Sequence, residues 1–152
     1  MPDIALAYDQ VNRRCDVQFA GRDFVLDQTT ASAMLFSLFT ARRARPDDRV
    51  PDAAAEWSAP PSFVARGGWC GDCLDGAARL VGSRMWLLAR EKESERTREQ
   101  AESYVAEALD WLNVERNLAV QVTVRWLDAP AGTLAIRART GETTVQLNRS
   151  VG

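Results

Sequence analysis

The feature that most constrains this chain is a change of hydrophobic period at Leu118. Before it, Ala101, Tyr104, Val105, Ala108, Leu109 and Leu112 recur at helical spacing and form one apolar stripe. After it, Val120, Val122, Val124 and Trp126 alternate with Gln121, Thr123 and Arg125, which is the period of a strand. Turn residues at 128–132 lead into Leu134 and Ile136, and Thr140-Gly141-Glu142 leads into Val145 and Leu147. The pattern predicts a three-stranded antiparallel meander whose outer face carries Arg125, Arg137 and Arg139, with one face buried and the other wet and basic. A helix followed by such a meander places the chain in the α+β class.

The rest of the chain fits that class. Ile4, Leu6 and Tyr8, then Val17 and Phe19, then Phe24 and Leu26 alternate between turn-like residues, giving two or three short N-terminal strands. With Asp27 as N-cap, Ala31, Met34, Leu35 and Leu38 share one helical face, and this helix is expected to end near Ala44, before Pro46. Residues 45–66 hold four of the six prolines and keep no steady period, so a long Pro-rich loop is expected there. Ser83 is positioned to cap a helix carrying Met85, Trp86, Leu87 and Leu88, and the side chains of Trp86, Leu87 and Leu88, with the Tyr104 stripe, are assigned to the core. Thr97 and Gln100 match a capping box that would open the long helix. Two to three helices result. With 152 residues and 46% hydrophobic composition, the chain is expected to form one domain, residues 1–152.

Charge and composition narrow the chemistry. Residues 116–152 hold five Arg against Asp128 and Glu142, a net +3, so residues 1–115 carry −5 of the total −2. No aromatic stacking pattern accompanies the basic residues, and nucleic acid is not an expected partner. No signal peptide is expected, and no run of 18 apolar residues occurs, so no membrane association is expected either. The chain has no His, which removes the commonest general base and the commonest zinc ligand.

One stretch invites a catalytic reading: GGWCGDCLDG, residues 67–76, spells Trp-Cys-Gly-x-Cys, as dithiol oxidoreductases do. Such a site needs its first Cys at the start of a helix that follows a buried strand, where the dipole lowers the thiol pKa. The preceding PPSFVARGG is a poor strand, and Leu74-Asp75-Gly76 is a poor helix. A zinc site from Cys15, Cys70, Cys73 and Asp72 would lack the second Cys pair that makes such signals specific. Three cysteines cannot all pair within one chain, which fits a reducing compartment. Neither a cofactor nor a metal is expected. Asp47 and Asp48 could hold a cation, or stand solvated or paired with Arg.

Taken in order, SLFTARRARPDD (37–48), GGWCGDCLDG (67–76), GSRMWLLAREK (82–92) and ESYVAEALDWL (102–112) resemble the Mu-type contractile-tail phage baseplate proteins. These are distant relatives of the wedge proteins once called lysozyme-like. The resemblance covers nearly the whole chain. In that family the loop commonly reads Trp-Trp-Gly-Asp and then a small residue, which makes the Cys70–Cys73 spelling an accident of two substitutions. The resemblance implies a non-enzymatic structural subunit of the inner baseplate wedge that helps start the tail sheath. Its implied partners are other wedge proteins, sheath and tube-proximal proteins, in six copies per particle, with assembly in the host cytoplasm. No carboxylate pair stands out for glycosidase work.

Two sets of residues are candidates for partner contact. Arg42, Arg43, Trp69 and Asp72 would face a neighbouring wedge protein, with Asp47, Asp48 and Arg84 beside them. The alternative is that Arg42, Arg43 and Arg84 cap helices or pair with Asp47, Asp48 and Asp72 inside the monomer. The second set is the C-terminal meander with Arg137 and Arg139, where the segment from Leu134 to Leu147 would offer an edge for strand addition. A small dithiol oxidoreductase remains the second reading, distinguished by an exposed, acidic Cys70.

Overall fold

The computed structural model describes residues 2–51, 64–128 and 131–151. Six short strands come first: β1 (Asp3–Ile4), β2 (Leu6–Asp9), β3 (Arg14–Val17), β4 (Phe19–Ala20), β5 (Asp23–Phe24) and β6 (Leu26–Asp27). They pair antiparallel as β1 with β6, β2 with β3, and β4 with β5. Helix α1 (Ala31–Phe39) follows, then two single 3-10 turns at Cys70–Leu74 and Arg84–Leu88, then helix α2 (Glu95–Arg116). Strands β7 (Val120–Asp128), β8 (Thr133–Thr140) and β9 (Thr143–Ser150) complete the α+β arrangement as an antiparallel sheet in chain order. No described helix is long and apolar enough to cross a membrane.

The core joins α1, the second 3-10 turn, α2 and the inner face of the meander in one hydrophobic cluster. Its fully enclosed side chains include Met34, Leu88, Val105, Leu109, Leu112 and Leu134. The entire predicted α2 stripe is buried, as are Leu87 and Leu88, while Trp86 packs half-buried against them.

Several boundaries differ from the sequence expectation, each for a local reason. Helix α1 stops at Phe39 rather than near Ala44 because Ala41 forms a parallel bridge with Ser83. The Ser83 amide donates to Thr40 O at 2.9 Å and the Arg42 amide to Ser83 O at 3.0 Å. Gly82 permits this crossing: its φ is +107°, and a Cβ there would lie 2.5 Å from Thr40 O. Asp27 serves α1 from outside the cap position, which Thr30 occupies. Its carboxylate accepts from the Ser32 amide at 2.8 Å and the Ser32 hydroxyl at 2.6 Å.

The capping box expected at Thr97 lies one turn too far along. Ser94 is the N-cap of α2, accepting from the Thr97 amide at 3.1 Å, and Thr97 itself is buried and donates to Lys92 O. Ser83 does cap its segment through the Met85 amide, but the segment is a 3-10 turn. Asn117, in the left-handed conformation at φ +54°, ends α2 and lets β7 begin within a few residues. Most of the Pro-rich loop, residues 52–63, lies outside the described residues.

Candidate partner-binding surfaces

The GGWCGDCLDG stretch is built around ring and backbone contacts rather than thiols. A Cβ on Gly71 would lie 2.3 Å from the Trp69 indole, and one on Gly67 3.0 Å from the Trp86 indole. A Cβ on Gly68 would press on the Arg43 side chain at 3.2 Å. The glycines therefore let two indoles and a guanidinium lie against bare backbone. Asp72 Oδ1 accepts from the Val81 amide at 2.9 Å, closing the loop, while its Oδ2 is buried without a hydrogen-bond partner. The Cys70 and Cys73 side chains are exposed, and Cys73 Sγ donates to Cys70 O. They sit in a five-residue 3-10 turn preceded by extended Trp69, not at the head of an α-helix after a buried strand. Cys15 lies half-buried on β3, and burial pushes its thiol up. Among the described residues no three Cys, Asp or Glu gather closely enough to hold a metal.

Trp69 stands edge-on to Phe36, ring centroids 5.5 Å apart, at the mouth of a cleft of about 850 Å³ between α1, the 70–82 loop and α2. Phe36, Trp69, Leu74, Leu80, Trp111 and Val114 line it. Leu74 is 86% exposed and Val114 74%, so this cleft presents apolar surface of the kind that marks contact sites. Arg42 reaches the cleft as well, but Arg43 and Asp72 do not line it.

Arg84 occupies a different environment. Its guanidinium is buried, donating from Nε to Glu107 at 2.8 Å and from Nη1 to both Asp48 oxygens at 2.7 and 2.9 Å, and it stacks 4.5 Å over Tyr104. Arg45 bonds the other Glu107 oxygen at 2.6 Å, with Arg42 at 4.0 Å. Burial works against the Glu107 charge, but these cations outweigh it and hold the carboxyl below its ordinary range. This network ties residues 42–48 to α2, so Arg84 and Asp48 pair inside the monomer while Asp47 is exposed.

The second surface is the meander. β8 is its central strand, so among the described residues only the β9 part of the 134–147 segment borders an open edge. Tyr8, on β2, reaches that edge: its hydroxyl donates to Asn148 O at 2.8 Å and accepts from the Asn148 amide at 3.0 Å. Arg13 bonds the Ser150 hydroxyl beyond it. Since the Asn148 amide and carbonyl point away from β8, antiparallel alternation points those of Thr144 and Gln146 outward too. The β7 edge is closed at its middle, where Arg98 donates to Val124 O at 3.1 Å while bonded to Glu95 and Glu102.

Across the outer face, Arg139 pairs with Gln121 and Thr144, and Arg137 with Thr123 and Gln146. Neither these two nor Arg125 bonds a carboxylate among the described residues. Arg149, on the inner face, is half-buried, and burial pushes its guanidinium below the usual value against the favourable influence of Tyr8. Sequence reasoning missed Tyr8, Leu74 and Val114. The edge position of Tyr8 depends on a partner 140 residues away, and exposure of Leu74 and Val114 has no periodic signature.

Comparison with known proteins adds the following. A family model described as "Phage protein GP46" matches residues 30–145. The baseplate protein gp46 of Escherichia phage Mu is 38% identical over 112 residues, covering 74% of this chain and 68% of that protein. The Mu-like prophage FluMu protein gp46 of Haemophilus influenzae is 27% identical over 124 residues, covering 82% and 75%. No solved structure matches the chain significantly.

Proposed function

Since the chain belongs to the phage GP46 family of Mu-type baseplate proteins, we propose that it is a structural subunit of a contractile-tail baseplate that builds the wedge and starts the sheath. Its place is the virion tail baseplate, among other baseplate components. In this reading six copies surround the tube, assembled in the host cytoplasm. The cleft around Trp69 takes a neighbouring wedge protein, and the β9 edge takes a strand from the first sheath ring. The chain does its work by binding, without catalysis.

The observation that supports sheath initiation is the open part of β9, where Thr144 and Gln146 turn their amides and carbonyls outward at a sheet edge. Adding a strand there gives affinity through main-chain hydrogen bonds. Gln146→Pro tests this. Its amide faces away from β8, so proline removes no ladder bond there and is tolerated as on other edge strands. Particles carrying Gln146→Pro are expected to contain baseplates with the variant chain but no polymerised sheath, seen by electron microscopy. Normal sheath on those baseplates refutes the docking edge.

A further inference from the structure

The geometry points to a charge code on the docking edge: β9 selects an extended segment in which Asp or Glu alternates with apolar residues, and Tyr8 fixes where that segment stops. This rests on the edge reading above and adds the chemistry of the partner.

The register dictates the code. A strand added antiparallel to β9 pairs its residues with Thr144 and Gln146, and those residues share the outer face with them. On that face the next strand inward presents Arg139 beside Thr144 and Arg137 beside Gln146. Two strand spacings, about 10 Å between Cα atoms, separate guest from arginine, a gap that an arginine and a glutamate side chain close together. Both guanidiniums lack a carboxylate among the described residues, although Arg139 also donates to Gly141 O at 3.3 Å. A guest carboxylate at each outer-face position supplies the missing counter-charge, and a lysine there meets repulsion. The intervening guest residue points to the inner face beside Val145 and Leu147, both buried, and gains by being apolar.

The stop is equally physical. At Asn148 the Tyr8 hydroxyl already takes both outward backbone groups, so a guest strand running past Gln146 finds neither donor nor acceptor at that step. The docked ladder is therefore short, and its length is set by one phenol on a hairpin far away in sequence.

The test uses the whole ¹⁵N-labelled chain and two probes, the hexapeptide Thr-Glu-Val-Glu-Val-Thr and its counterpart with Lys for Glu. The Glu probe is expected to shift the Thr144 and Gln146 amides and to bind about fivefold tighter at low salt, from two opposite-charge pairs. Added salt should erase the preference. In the Arg137→Glu/Arg139→Glu double variant the preference should invert, and in Tyr8→Phe the footprint should extend to Asn148. Equal affinity of the two probes, a footprint elsewhere, or no binding of either overturns the code. Particles separate this failure from that of the edge itself. If Gln146→Pro abolishes sheath and the double Arg variant does not, the edge stands and the code falls; if neither abolishes it, both fall.

Discussion

At the residue scale, Arg84 shows how a side chain that looks like an interface anchor becomes interior structure. Its three donor contacts to Asp48 and Glu107, with Tyr104 beneath, make it the cation that two partly enclosed carboxylates share. Arg84→Ala should cost about 3 kcal/mol in urea unfolding, because it strips the guanidinium from Asp48 and from one Glu107 oxygen rather than removing a neutral contact. The Gly-Ser-Arg-x-Trp-Leu-Leu string could be read as functional or structural, and sequence alone left both open. What pairs Arg84 inside the fold is Glu107, a residue on α2 whose position no local spacing announces. The Trp-Cys-Gly-Asp-Cys stretch, by contrast, was legible as a loop from its flanks, and what the sequence hid was the packing of the Trp69 ring over Gly71.

At the element scale, helices and strands with strong periodicity were legible and their ends were not. The α2 stripe and the meander alternation match the structure residue for residue, since burial of one face enforces each period. Helix α1 ended five residues early because its C-terminus is cut by a bridge to Ser83, a contact 42 residues away in sequence. Its start carries a prediction about acid. Burial opposes the Asp27 charge, but hydrogen bonds from Ser32 and Thr29 prevail and hold the carboxyl well below its ordinary 3.8. A carboxyl depressed in the folded state stabilises fully above its unfolded pKa and loses that contribution as pH falls toward the folded one. The drop in melting temperature from pH 7 to pH 3 should therefore be smaller in Asp27→Asn than in the unaltered chain, as followed by circular dichroism.

At the scale of the whole molecule, the two surfaces lie on different parts of the fold: the cleft between α1 and α2, and the edge of β9. They should therefore be separable by mutation. Val114→Lys places a charge at an exposed position, so melting is expected to change by no more than about 2 °C. Incorporation into baseplates, measured by quantitative immunoblot of purified particles, should fall, because the cleft would then receive its apolar partner beside an ammonium group. Unchanged incorporation would remove the cleft from the wedge contact.

The bond between Tyr8 and Asn148 also has a temporal side. On the ribosome the β2–β3 hairpin is complete long before residue 148 exists, so it waits without its anchor while α1, α2 and β7 are made. Contacts this distant in sequence close late, after the loop entropy between them has been met. A nascent chain halted before β9 would carry an N-terminal ribbon held to α1 but with the Tyr8 hydroxyl lacking its backbone partners, a shape that a protease or chaperone can tell from a finished chain. One phenolic hydroxyl thus acts as a completion mark: only a chain translated through Asn148 can be closed at both ends.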